Sequence, residues 1–426
     1  MEKFKFSEIS DFCIKCGKCI PECTIHRINP DETTSPRGFL DLLKGVEDGE
    51  IELDKNAKDI FESCFLCTNC TQVCPNGLQT DFAIENVRKE IADRYGISWF
   101  KRIFFYLLRN RKAFDLVAKL GYMFQTCGFK IEEEKNAMRS RFSLPLVKKG
   151  RLVPSMKKTS FLNKYPEKIE VKNPKKRVAI FIGCLANYNF VEVGDSLVKI
   201  LKELEIDIFI PKKQMCCSAP AYFTGDFATT DKLSKFNVDY FSEWIDEVDA
   251  ILVPEATCSA MLKVDYHHYF EKYAPEYLEK HKKINSKIFG ATEWLYKETN
   301  LLEILKDRKK SDTKITYHDP CHFRKVQGVW KEPRELLKNN YIFKEMSDPN
   351  ICCGFGGITI QTEKFHLAEK AGKIKADMIE ETNSDFVAAE CSACRIQITE
   401  ALNRIDSKTN FKHPLELISE ILDAKN

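Results

Sequence analysis

The 426-residue sequence contains no apolar run approaching the roughly 20 residues that a membrane-crossing helix needs. Its first residues, Met1-Glu2-Lys3-Phe4-Lys5-Phe6-Ser7-Glu8, have neither an apolar core nor a small-residue cleavage site, so no secretory signal is expected. An excess of charge of either sign is lacking, with 66 Lys and Arg against 63 Asp and Glu. The net +3 is too near neutral to suggest nucleic acid as a partner. A P-loop and a flavin or nicotinamide fingerprint are both missing, and Gly354-Phe355-Gly356-Gly357 has the wrong spacing for a dinucleotide turn. No acid–base pair stands out for oxidising a hydroxy substrate. These absences argue against a chain that carries out a first substrate oxidation by itself. Cysteine, by contrast, is abundant, with 18 residues. In a long chain without a secretory signal, such usage suggests metal clusters in a reducing, cytoplasmic compartment rather than disulfides. The length allows two or three domains, and 43% hydrophobic with 30% charged residues is ordinary globular composition.

Two cysteine runs share one spacing. Cys64, Cys67, Cys70 and Cys74, followed by Pro75, form C-x2-C-x2-C-x3-C-P, and Cys13, Cys16, Cys19 and Cys23 form the same run with Thr24 in place of proline. This is the bacterial 4Fe–4S ferredoxin spacing, in which the fourth cysteine ligates the other cluster of a pair. The expected sets are therefore Cys13, Cys16, Cys19 and Cys74 for one 4Fe–4S cluster, and Cys64, Cys67, Cys70 and Cys23 for the second. Zinc knuckles are the rival, but zinc sites usually draw on separated cysteine pairs. The spacer between the runs has helical periodicity at Phe39, Leu40, Leu42, Leu43 and Val46, then at Ile60 and Phe61. Asp81 to Tyr95 also reads as a helix. Residues 1–95 should thus form a mostly helical two-cluster module.

Residues 96–176 differ in character. Up to about residue 130, aromatic and apolar residues (Trp99, Phe100, Ile103 to Leu108, Phe114 to Phe124) are interleaved with Lys101, Arg102, Arg109, Arg111 and Lys112, and Asp115 is the only acid. Two readings stand: an interfacial helix pair touching anionic lipid, or a connecting helix hairpin packed on the next domain. Cys127 stands alone here, as a buried or free thiol. Residues 131–176, lysine-rich and interrupted by Pro145, Pro154, Pro166 and Pro174, read as a linker.

From Arg177 the texture is α/β. Strand-like runs at Val178–Ile182, Ile206–Ile210 and Ala250–Val253 alternate with helical patterns, implying a mainly parallel sheet. The order recurs with Lys314–Tyr317, Tyr341–Phe343 and Asp385–Ala389, so residues 177–300 and 301–426 read as a duplicated unit. Cysteines fall at the strand ends of both copies: Cys184, Cys216-Cys217 and Cys258 in the first, and Cys321, Cys352-Cys353, Cys391 and Cys394 in the second. The gaps match to within a few residues. Ligands gather beyond the carboxyl ends of parallel strands, so three such loops would build one metal site per copy. Met261 stands where Cys394 would align, and a thioether replaces a bridging thiolate poorly, so the first site should be distinct or degenerate. His318 and His322 flank Cys321. They could serve proton transfer, or could simply orient the loop. Gly354 to Gly357 should let backbone approach a cluster or donate amide hydrogens to its sulfurs. His267 and His268 read as structural.

The pattern C…CC-G…C-x2-C resembles the CCG, or cysteine-rich, domain of heterodisulfide reductase B-type subunits. A helical two-cluster ferredoxin followed by two such domains is similar to the iron–sulfur subunit of glycolate oxidase, the C subunit of anaerobic glycerol-3-phosphate dehydrogenase and the D-type subunit of heterodisulfide reductase. The resemblance implies a third iron–sulfur cluster, of noncubane 4Fe–4S type, on Cys321, Cys352, Cys353, Cys391 and Cys394, with His322 beside it. A fourth would sit on Cys184, Cys216, Cys217 and Cys258. It implies an oxidoreductase subunit that takes electrons from a flavoprotein and passes them to quinone at the inner face of the cytoplasmic membrane. A disulfide-reducing catalytic subunit is the alternative.

Overall fold

The computed structural model describes residues 4–144 and 146–424, so Met1 to Lys3, the linker residue Pro145, Lys425 and Asn426 lie outside it. Residues up to 95 form helices only, among the described residues. Ser35 accepts a hydrogen bond from Gly38 N at 3.0 Å and, with Pro36 in the first turn, starts helix Pro36–Glu47. Asp54 caps Lys55–Glu62 in the same way, through Ala57 N at 2.8 Å. The apolar faces of these helices meet those of Thr80–Tyr95, burying Phe39, Leu43, Phe61, Ile84 and Val87. The same cluster takes in Ile360, Leu367, Ala368 and Ala371 from the far end of the chain, so the module is welded to the second α/β copy.

Helices Trp99–Arg109 and Arg111–Gly128 follow as a hairpin. Phe105 and Leu108 are buried in the core of the first copy, and Lys101 is buried between Thr359 Oγ1 at 3.0 Å and Glu363 at 3.1 Å. Among the described residues, no helix is long and apolar enough to cross a membrane.

The supposed linker is folded. Strands β1 (Phe129–Glu132), β2 (Ala137–Ser140) and β3 (Leu152–Pro154) form an antiparallel sheet. It is strapped to the second copy by Leu152 N donating to Glu400 Oε2 at 2.8 Å, Arg139 to Asn403 Oδ1 at 2.7 Å and Arg151 to Gln361 Oε1 at 2.8 Å. Strands this short carry almost no period-two signal, and Pro154 sits at the end of an edge strand, where a missing N–H is tolerated.

The two copies share one topology. The first comprises β4 (Lys168–Ile169), β5 (Arg177–Ile180), β6 (Asp207–Phe209), β7 (Ala250–Val253) and β8 (Ile288–Gly290), ordered β4-β6-β5-β7-β8 with only β4 antiparallel. The second comprises β9 (Lys314–Tyr317), β10 (Ile342–Phe343), β11 (Phe386–Ala388) and β12 (Asn410–Lys412), all parallel and ordered β10-β9-β11-β12. The same 2-1-3-4 order in both is the duplication in structural form. A single core spans the two, running from Leu197 and Leu252 through Trp294 to Ile315, Leu336 and Leu415.

Candidate metal centres and the chamber between the repeats

Left-handed backbone at Lys15 and Gly17 lets the first cysteine loop curl on itself. Cys13, Cys16, Cys19, Cys70 and Cys74 line one small cavity of about 30 Å³, and the charged neighbours of Cys19 there are Cys13, Cys16 and Cys74. Asn76 Nδ2 donates to Phe12 O at 2.8 Å and ties the second loop to the first. The neighbours of Cys23 are Cys67 and Cys64, and those of Cys70 include Cys64, Cys67 and Cys23. Each loop thus sends its fourth cysteine to the other's group. Burial pushes Cys64 up to about 11, and it raises Cys23 and Cys70 strongly, with the neighbouring thiols adding to the effect. Crowded buried thiols that resist ionising alone are suited to a cation that takes the place of their protons.

In the second copy, Cys321 opens helix Cys321–Gln327 beyond β9, Cys352 and Cys353 follow β10, and Cys391 and Cys394 flank the start of Ser392–Arg404 beyond β11. All five meet at the carboxyl ends of the parallel strands, the edge where α/β folds place ligands. Gly354, Gly356 and Gly357 all have positive φ, and Gly354 N donates to Cys352 Sγ at 3.4 Å. Cys353 Sγ and Cys394 Sγ are 3.5 Å apart. His322 Nδ1 lies 3.4 Å from Cys321 Sγ, and its ring stacks on Phe223 at 5.6 Å. Burial opposes charge on His322, but the Cys321 thiolate outweighs it and holds the imidazole up at about 9. Cys321 is held well below the usual thiol range by a hydrogen bond from Cys352, by His322 and by Lys325.

The first copy differs. Cys184, Cys216, Cys217 and Cys258 neighbour one another in that order. Strand register and helix starts set Cys258 level with Cys394 and Glu255 level with Cys391, so the missing thiol lies at Glu255 and not at Met261, where the sequence motif places it; Met261 is buried one turn further on. Cys184, Cys216 and Cys217 are all held well above the usual range. A hydrogen bond from Cys217 pulls Cys258 down, but burial and the surrounding thiols outweigh it and lift it to about 12. Glu255 neighbours Cys184 and Cys258; burial pushes its own carboxyl up to about 7, and in its ionised form it opposes thiolates. In the second copy, Cys321 and Cys353 are held well below the usual thiol range while their partners Cys352 and Cys394 are held well above it, whereas all four thiols of the first copy are raised.

Both groups open on one chamber of about 310 Å³. Phe65 and Leu66 from the ferredoxin loop, Phe104 from the hairpin and Phe355 give it an apolar lining, while Cys184, Cys217 and Cys258 face Cys321, Cys352, Cys353, Cys391 and Cys394. Cys67 and Cys352 pack in one buried cluster, and the neighbouring Cys352 thiol draws Cys67 down to about 6, with Lys325 adding to the effect. A cysteine of the second ferredoxin group therefore neighbours a cysteine of the second repeat.

Sequence reasoning had not found this contact, since nothing in the spacing shows it. It had also missed Arg88, buried in helix Thr80–Tyr95, which donates to Cys64 O at 2.6 Å and to Phe223 O at 2.9 Å and so joins the ferredoxin loop to the first repeat. Gly225 (φ +91°) closes this junction, because a Cβ there would lie 2.2 Å from Arg88 O. Cys127 is exposed and apart from every group. His268 packs against Phe82 at 5.6 Å, away from the cysteines.

Comparison with known proteins agrees with this anatomy. A 4Fe-4S dicluster domain model matches residues 9–78, and the cysteine-rich CCG domain model matches residues 178–263 and 315–399. The chain is 30% identical to an uncharacterized iron-sulfur protein of Methanococcus maripaludis, over 96% of this chain and 71% of that protein. It is 29% identical to a probable glycolate oxidase iron-sulfur subunit of Bacillus subtilis, over 97% and 94% respectively. It is 27% identical to the B-type subunit of a fumarate reductase (CoM/CoB) of Methanothermobacter marburgensis, over 92% and 68%. It is thus related to oxidoreductase iron–sulfur subunits. The dicluster domain implies two 4Fe–4S clusters, and the CCG cysteines suggest a further metal site. The chain belongs to the CCG-domain iron–sulfur proteins, with an N-terminal 4Fe–4S dicluster domain followed by two CCG repeats.

Proposed function

We propose that this chain is the iron–sulfur electron-transfer subunit of a flavin-dependent dehydrogenase of the glycolate, lactate or glycerol 3-phosphate type, linking a separate flavoprotein to quinone. The observation that carries the reading is the Cys67–Cys352 contact. It leaves no protein layer between the second ferredoxin group and the second-repeat group. Iron–sulfur clusters on these thiolates would supply one-electron steps at potentials tuned by burial and hydrogen bonds to sulfur. The residues do the rest. Cys16 is exposed, so the first group meets solvent and a donor protein there. Gly354 and Leu66 donate amide hydrogens to the sulfurs of Cys352 and Cys64, each at 3.4 Å. His322 is a proton source beside Cys321, and the apolar chamber suits a quinone head group. Full-length similarity to a protein named as a probable glycolate oxidase iron-sulfur subunit supports the same assignment.

The outward face of the hairpin supports a place at the inner surface of the cytoplasmic membrane. Trp99 is 68% exposed and Phe124 60%, and Ile103, Tyr106, Leu116, Leu120 and Met123 are exposed with them. Such a face beside arginines and lysines matches an interfacial helix pair on anionic lipid.

Anaerobic affinity purification from native membranes tests the function. The expected result is a co-purifying flavoprotein and quinone reduction with its hydroxy-acid or glycerol 3-phosphate substrate. A second reading, disulfide reduction, draws on the two cysteine groups that face one chamber and on the relative named for CoM/CoB. A cytochrome b partner without flavoprotein, together with disulfide turnover, would replace the first reading with the second.

A further inference from the structure

His318 has no part in the roles described so far. It directly follows β9, three residues before Cys321, and is 1% exposed. Its backbone N–H donates to Ala388 O at 2.9 Å, pinning it to the end of β11. Its Nδ1 is buried without a hydrogen-bond partner. The ring is also the hydrogen-bonding neighbour of the Cys353 thiol, and buried polar atoms such as Nδ1 are nearly always paired. A ring nitrogen of His318 and the sulfurs of Cys353 and Cys394 all lie within 4.8 Å of one another, and all three residues are buried. Imidazole with two thiolates is a donor set that transition metals accept, and in some iron–sulfur centres histidine takes the place of cysteine.

The first repeat supplies an internal comparison. Strands β5 and β9 have the same length and pair in the same register with the third strand of their sheets, Val178 opposite Ala250 and Ile315 opposite Phe386. His318 therefore falls where the first repeat has Phe181. By the same register Cys394 falls where it has Cys258, and Cys391 where it has Glu255. Phe181 and Glu255 are both buried, at 1% and 4% exposure. The first repeat keeps counterparts of Cys321, Cys352, Cys353 and Cys394 and lacks His318 together with Cys391.

We propose that His318, Cys353 and Cys394 together hold one iron of the second-repeat centre, with an imidazole nitrogen of His318 as a direct ligand. The inference rests on the reading that this repeat holds an iron–sulfur centre. A neutral imidazole makes that centre less negative than an all-cysteine one, which raises its potential.

The test uses the full-length protein, purified anaerobically with 15N-histidine in an otherwise 14N chain. Pulsed EPR of the second-repeat signal should show a strongly coupled nitrogen that changes isotope with the histidine label. The coupling should vanish in His318→Phe and in His318→Cys, and His318→Cys should keep its iron and titrate at a lower midpoint potential. A labelled parent protein with an intact second-repeat signal and no strongly coupled histidine nitrogen overturns the ligand assignment alone, and so does a coupling that survives in either variant. Iron and acid-labile sulfide for two ferredoxin clusters and no more overturn the ligand assignment and the reading beneath it. The labelled parent protein decides the question even if a variant fails to fold.

Discussion

At the scale of single residues, His413 shows how a buried side chain fixes its own protonation state. It caps helix Pro414–Asp423, with Nδ1 accepting from Leu415 N at 3.2 Å while Nε2 donates to Pro254 O at 2.9 Å. One nitrogen must carry a proton and the other must not, so only neutral imidazole fits. Burial pushes it down to about 3 from its ordinary 6.5. Because the folded value lies below the unfolded one, the unfolded chain takes up the proton first as pH falls. The contribution is complete above about pH 6.5 and is lost at about 1.4 kcal/mol per unit on the way down to pH 3. Urea unfolding from pH 7 to 4 should show this slope, and His413→Gln should flatten it. His413→Ala, which loses the cap and orphans a buried carbonyl, should cost about 2 kcal/mol or more at pH 7. Equal slopes in His413→Gln and the parent protein would contradict the assignment.

At the scale of elements, the first repeat and the hairpin carry the sharpest expectations. Glu255→Cys restores the fifth cysteine of the first repeat, at the place Cys391 takes in the second. Iron and sulfide per chain should rise above the parent value, with a new signal of the second-repeat type. A parent protein that already holds such a centre in its first repeat would contradict the view that Glu255 disables it. For the hairpin, Trp99→Glu and Phe124→Glu lie on its exposed face and should leave folding nearly unchanged, because both side chains are mostly in solvent. Flotation with vesicles containing about a third anionic lipid should recover the parent protein and lose the double variant, and the binding should weaken with salt. Equal flotation of both proteins would assign the hairpin to protein contact instead.

The same scale shows where sequence was readable. The helical ferredoxin module, the helix from residue 80 to 95 and the strands leading to each cysteine were visible, because long periodic segments and fixed cysteine spacings are local signals. The β1–β3 strap was not, since its strands run to only three or four residues and their hydrogen bonds go to side chains far along the chain, such as Glu400 and Asn403. Strands β8 (Ile288–Gly290) and β12 (Asn410–Lys412) escaped because they lie at sheet edges and lack the longer apolar run that marks β6. At the sites, the cysteines announced themselves and their company did not. Phe65 and Leu66 sit between ferredoxin cysteines, yet they line a chamber belonging to the repeats.

At the scale of the whole molecule, the three domains act as one body because the ferredoxin core continues into the second repeat through Ile360 and Leu367 and the repeats share a second core. Arg88 and Gly225 lock the remaining side. The consequence is a fixed order of sites, from the solvent-facing group of Cys13, Cys16, Cys19 and Cys74, through that of Cys23, Cys64, Cys67 and Cys70, to the second repeat at the Cys67–Cys352 contact. That contact is the central claim, and magnetic interaction reads it directly. EPR of the anaerobic holoprotein, poised stepwise from oxidised to fully reduced, should show the signal of the second ferredoxin cluster split or broadened whenever the second-repeat centre is paramagnetic. Two unsplit signals that add as independent centres at every potential would contradict the account.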